Sequence, residues 1–122
     1  MEDSITKTIS TQKLPERAIL IGVESTAEKG RWSEEASIAE LAALAYTAGA
    51  NVVGKLTQKL PAPSRMYYLG RGKLKELRDL KERLNYETVI VDDELTPQQQ
   101  RGLEEVLDSK IIDRIDLILD IF

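Results

Sequence analysis

The sequence predicts an α/β fold: a small, open, mainly parallel four-stranded sheet flanked by about three helices, with the start of a further helix at the C-terminus. Three observations carry that expectation. Short apolar runs alternate with longer segments whose apolar residues recur at three- and four-residue spacing, which is the βαβα pattern. The apolar runs are continuous rather than alternating, as parallel strands covered on both faces are. At 122 residues with 42% apolar composition, the chain has room for one core and not two.

Residues 1–16 are polar and without periodicity, ending in Leu14, Pro15 and Glu16, and read as a flexible leader. The α/β domain is expected over 17–113, and residues 114–122 as the start of the next helix. Residues 17–24, RAILIGVE, form the first strand. A helix follows from Ser33 as N-cap, with Glu34 and Glu35 in its first turn and Ile38, Leu41, Ala42, Ala45 and Ala48 as its apolar stripe. Gly49 stops it. Trp32, the single tryptophan, is expected to staple onto that helix rather than to meet a partner. Residues 51–58 are the second strand, and the prolines of 60–65 place a loop after it. A short strand-like piece over 66–69 leads into a turn at 70–73. Leu74, Leu77, Leu80 and Leu84 then mark a second helix, closed by Asn85 in a left-handed conformation.

Residues 87–94, ETVIVDDE, are the clearest parallel strand, breaking into three acids at the C-terminal end. Thr96 as N-cap, Pro97 at the first helical position and Gln99 completing a capping box start a third helix, whose buried face is Leu103, Val106 and Leu107. Residues 110–113, KIID, are the fourth strand. In the tail, Ile115, Ile118, Leu119 and Phe122 are spaced i, i+3, i+4, i+7 with Asp113 placed to cap, the first two turns of an amphipathic helix. An apolar final turn with no C-cap suits a domain cut from a longer protein better than a natural end.

Composition narrows the chemistry. The chain has no histidine and no cysteine, which removes disulfides, thiolate nucleophiles, Ser-His-Asp triads and the usual zinc ligands. No apolar run approaches a membrane span and the first residues lack a signal-peptide core, so a cytoplasmic location is expected. The net charge of −4 hides an asymmetry: residues 55–83 hold nine Lys/Arg against three acids, leaving −10 for the remainder. Lys75, Arg78, Lys81 and Arg83 are explained as solvated helix-face charges. The loop cations Arg65, Arg71 and Lys73 are less easily explained that way.

Right-handed crossovers would place the strand C-termini along one edge, where open α/β sheets bind ligands. That edge gathers 22–25, 70–73, 92–94 and 113–114. The Gly70-Arg71-Gly72-Lys73 stretch invites comparison with phosphate loops. A Walker A loop would need glycine at 67 and a hydroxyl at 74, where the chain has Tyr67 and Leu74; a dinucleotide fingerprint would need a small residue at 75, which is Lys75. What survives is two glycines, Gly70 and Gly72, at a helix start beside Arg71 and Lys73, a setting that suits an anion. The plain alternative is a tight turn whose glycines allow positive φ. Asp92, Asp93 and Glu94 resemble a Walker B strand end, but without a phosphate loop they read as solvated acids near the positive end of the third helix, with no metal expected.

Four segments resemble one family: AILIGVE with the following helix and AGANVVGKLTQK, then YYLGRGKLKEL, then VIVDDELTPQQQRGLEE, then KIIDRIDLILDIF. The chain is similar over 18–122 to the N-terminal domain of HflX-type GTPases, ribosome-associated GTP-binding proteins. One departure is Ile115, where the family usually has threonine after Asp-Arg. The resemblance implies a helical hairpin and a G domain beyond this chain, with GTP and magnesium belonging to that G domain and no cofactor here. It implies binding to the large ribosomal subunit and its rRNA, a role in separating ribosomal subunits, and docking on the chain's own G domain. Catalysis would then lie outside this chain, and Arg65, Arg71, Lys73 and Lys75 are the candidates for RNA or partner contact. Two alternatives stay open: a free-standing nucleotide-binding domain using residues 70–73, and an interaction module that docks only on its own G domain.

Overall fold

The computed structural model describes residues 16–27 and 33–121. Most of the expected leader, Trp32 and Phe122 lie outside the described residues. Eight elements alternate as expected: β1 (Arg17–Ser25), α1 (Glu34–Thr47), β2 (Asn51–Leu60), α2 (Arg71–Leu84), β3 (Thr88–Val91), α3 (Pro97–Leu107), β4 (Lys110–Asp113) and α4 (Arg114–Ile121). The sheet order is β2-β1-β3-β4 and every pairing is parallel. The chain leaves β1 for β2 on one side and returns to β3 on the other, so the topological switch lies between β1 and β3.

Side-chain alternation along β1 divides the core. Ile19, Ile21 and Val23 face Leu74 and Leu77 of α2 and Leu103 and Leu107 of α3. Ala18 and Leu20 face Ile38, Leu41 and Ala45 of α1 and Leu117 of α4. This is why β1 reads as an unbroken apolar run: both of its faces are covered by helices.

Helix boundaries follow the local chemistry. Ser33 accepts from the Ala36 N–H, Gly49 has φ +90° just past α1, and Asn85 closes α2 at φ +56°. The capping box at α3 is complete: Thr96 Oγ1 accepts from Gln99 N at 3.1 Å, and Gln99 Oε1 accepts from Thr96 N at 3.0 Å.

Four expectations need correction. Residues 66–69 form no strand; they belong to a turn closed by two hydrogen bonds between Ser64 and Tyr68, of 2.9 and 3.0 Å. The third strand ends at Val91, because the acids after it turn away to partners of their own. Glu16 is already tied into the fold, accepting from Thr88 Oγ1 at 2.6 Å and lying 3.4 Å from Lys110 Nζ. In α4, Leu117 is the residue buried against the sheet, at 2% exposure, whereas Ile115 (47%) and Leu119 (68%) face outward. Of the i, i+3, i+4 residues, Ile118 is half-buried and the other two lie on the outer side of the helix.

Candidate functional site

The cations proposed for contact sit at and beyond the carboxyl edge of the sheet. After β2 the chain runs through Pro61 and Pro63, makes the turn at Ser64 and Tyr68, and enters α2 with Gly70 as N-cap. Residues 70–73 are therefore the cap and first turn of a helix rather than a turn. Gly70 has φ −68° and Gly72 is not among the glycines of positive φ, so left-handed backbone is not why glycine stands at either position. At Gly70 the reason is close approach: its N–H donates to Gln58 Oε1 at 2.9 Å, and a Cβ there would lie 3.0 Å from Gln58 Nε2. A Cβ at Gly72 would meet nothing within 4 Å. No side chain caps α2 and no acid lies in its first turn, so its N-terminal end carries an uncompensated positive potential.

Among the cations, Arg65 and Arg71 are exposed and form no ion pair among the described residues. Lys73 and Lys75 are engaged within α2, Lys73 with Glu76 at 3.3 Å and Lys75 with Asp79 at 3.1 Å. Such exposed pairs are weak and open readily to a stronger anion. Over residues 59–75 the sequence holds five Lys/Arg and no acid, so this segment meets a partner with one sign of charge.

The crevice between β1 and β3, where open α/β sheets usually take ligands, is filled on the α2 and α3 side by Tyr68. Its ring is 1% exposed, its hydroxyl oxygen accepts from Val23 N at 2.9 Å, and its O–H donates to Asp93 Oδ2 at 2.5 Å. Burial, then the Asp93 charge, push the Tyr68 phenol well above its ordinary pKa. Tyr68 holds φ +67°, an uncommon conformation for a large residue, which the two Ser64 hydrogen bonds and the buried hydroxyl sustain.

The acids at the edge are not the solvated group expected. Asp92 is 5% exposed and accepts from Arg114 Nη1 at 2.6 Å, while Arg114 also reaches Glu40 on α1. Asp93 turns to Tyr68, and Glu94 alone is exposed. Asp113 is buried and accepts from Leu95 N at 3.0 Å and from Asp116 N at 2.9 Å, which caps α4. Among the described residues no three such groups are placed to hold a metal ion.

Sequence reasoning misses the residues that shape the edge. Tyr68 is hidden in what resembles a strand, and Gln99 stands out only as a cap, although its Nε2 also donates to Ser64 O at 2.8 Å. Arg114 draws notice for its neighbour rather than for its own pairing.

Fold and edge together define a doubly wound parallel α/β domain whose switch-point crevice is occupied by its own tyrosine. Residues 35–122 match the family described as GTP-binding GTPase N-terminal. The chain is 48% identical over 107 residues to GTPase HflX of Caldanaerobacter subterraneus subsp. tengcongensis, covering 88% of this chain and 24% of that protein. It is 39% identical over 118 residues to GTPase HflX of Lacrimispora saccharolytica, covering 97% and 27%. With GTPase HflX of Escherichia coli strain K12 it shares 32% identity over 107 residues, covering 88% and 24%. The chain thus belongs to the GTP-binding GTPase N-terminal family, as the N-terminal domain of an HflX-type protein. It spans about a quarter of the length of these curated relatives. A solved GTP-binding protein from the archaeon Sulfolobus solfataricus, in complex with GDP, shares the fold with a TM-score of 0.60 at 22% identity, over 87% of this chain and 30% of that one.

Proposed function

We propose that this domain is the ribosome-binding and regulatory part of an HflX-type GTPase, acting in the cytoplasm on the large ribosomal subunit and in the separation of subunits. GTP and magnesium belong, in this account, to a G domain outside the chain, on which the domain also docks. The chain itself catalyses nothing. The observation that carries the proposal is the acid-free basic segment 59–75, with Arg65 and Arg71 unpaired among the described residues and an uncapped helix N-terminus beside them. Phosphate oxygens meet both kinds of donor well, and their neutralisation releases counterions. The occupied crevice speaks for this role and against a free-standing nucleotide site, because Tyr68 stands where a ligand of the sheet would enter.

Co-sedimentation of the domain with purified large ribosomal subunits tests the proposal. Pelleting at roughly 50 mM salt that is largely lost by roughly 200 mM is expected. Binding that is absent, or indifferent to salt, overturns the RNA role. GTP or ATP turnover by the purified chain, abolished by Lys73→Ala, overturns the non-catalytic one.

A further inference from the structure

The loop that carries Arg65 is held in place far more tightly than a surface loop needs to be. Ser64 and Tyr68 close the turn with reciprocal backbone hydrogen bonds of 2.9 and 3.0 Å, and Tyr67 N donates to Ser64 Oγ at 3.3 Å. From below, the Tyr68 hydroxyl is fixed between Val23 N and Asp93. From the side, α3 supplies two further restraints. Gln99 Nε2 donates to Ser64 O at 2.8 Å, and Gly102 lies so close that a Cβ on it would fall 2.2 Å from Met66 O and 2.9 Å from the Tyr67 ring.

These restraints leave only the tip free. Arg65 is exposed and without an ion pair among the described residues, and Met66, 51% exposed, stands beside it. On α3, Arg101 adjoins Gly102 in the chain and is also exposed and unpaired among the described residues, with Glu105 one turn on. The fold thus fixes a cation and an apolar side chain at a set place, and Gln99 and Gly102 touch the backbone of the turn without reaching the surface themselves, Gln99 being 8% exposed. Fixing a contact residue in advance removes the entropy that ordering a mobile loop would cost on binding.

We infer that Gln99 and Gly102 are positioning residues, which hold the turn at Ser64 and Tyr68 so that Arg65 meets RNA preformed. The inference rests on the RNA-binding reading above and adds to it which residues set the geometry of the contact. The LTPQQQRG segment, one of those that carry the family resemblance, thereby gains a physical role. Through Gln99 and Gly102 it clamps the neighbouring loop.

Two measurements test it. In the parent domain, the Tyr68 and Leu69 amides exchange with deuterium as slowly as core amides; exchange at the rate of an exposed loop overturns the clamp. The second is a double-mutant cycle in binding to large-subunit rRNA fragments, with folding of each variant followed by circular dichroism. Gly102→Ala forces the Met66 carbonyl away, and Gln99→Glu keeps an acceptor for Thr96 N but removes the donor to Ser64 O. Each lowers affinity by about the same factor as Arg65→Ala, and each has little further effect once Arg65 is alanine. Gln99→Glu carries the cycle if Gly102→Ala does not fold. Full, additive losses on the Arg65→Ala background, or parental affinity in folded variants, overturn the inference alone. An Arg65→Ala protein that binds as the parent does removes the RNA-contact reading, and the positioning role with it.

Discussion

Tyr68 combines three roles in one side chain. It fills the switch-point crevice, it satisfies the Val23 N–H as β1 leaves its partner, and it anchors the turn before α2. Tyr68→Phe removes the acceptor from that buried N–H and is expected to cost about 1–3 kcal/mol in urea unfolding; a loss within error of zero would mean that water replaces the hydroxyl. A second tyrosine supplies a pH test. Burial raises the Tyr86 phenol to about 12 from 10, and its O–H donates to Leu77 O at 2.7 Å. The folded state therefore keeps a proton that the unfolded state releases. The resulting stability is complete below pH 10 and is lost as pH rises towards about 12. Tyr68, raised further by burial and by Asp93, adds to the same alkaline loss. Urea midpoints measured across that interval should fall steeply in the parent and less steeply in Tyr86→Phe.

Among the elements, those with strong local chemistry were legible in the sequence. The α3 capping box, the Ser33 cap of α1, the left-handed Asn85 and the continuous apolar runs of β1 and β3 are all short-range signals, and all four hold. What was not legible depended on partners distant in the chain. Nothing near Met66 announces that the turn over residues 64–69 will be held by Gln99 and Gly102 instead of pairing in the sheet. Periodicity could not decide which side of α4 faces inward, because Ile115, Leu117, Ile118 and Leu119 offer apolar residues on both sides. The acids after β3 looked solvated because Arg114 lies more than twenty residues away. That pairing is testable: Arg114→Ala leaves the Asp92 carboxylate buried without its cation and should cost about 3 kcal/mol. Adding Asp92→Asn should recover part of the loss in thermal or urea unfolding. No recovery would show that Arg114 acts through Glu40 and packing instead.

Taken whole, the molecule separates its charges. Acids gather beyond β3 and β4 and are largely spent on internal partners, whereas the cations at the loop and the start of α2 are turned outward, two of them unpaired among the described residues. An overall charge of −4 therefore coexists with a basic face, and local rather than net charge governs what that face attracts. On the proposed reading, Arg65 and Arg71 neutralise phosphate on large-subunit rRNA. The most direct measurement is the salt dependence of rRNA binding for the parent, Arg65→Ala and Arg71→Ala, by fluorescence anisotropy over a range of ionic strengths. Each substitution is predicted to weaken binding and to flatten the slope of log K against log salt by roughly 0.7–0.9. Slopes that stay unchanged in both variants would contradict the account.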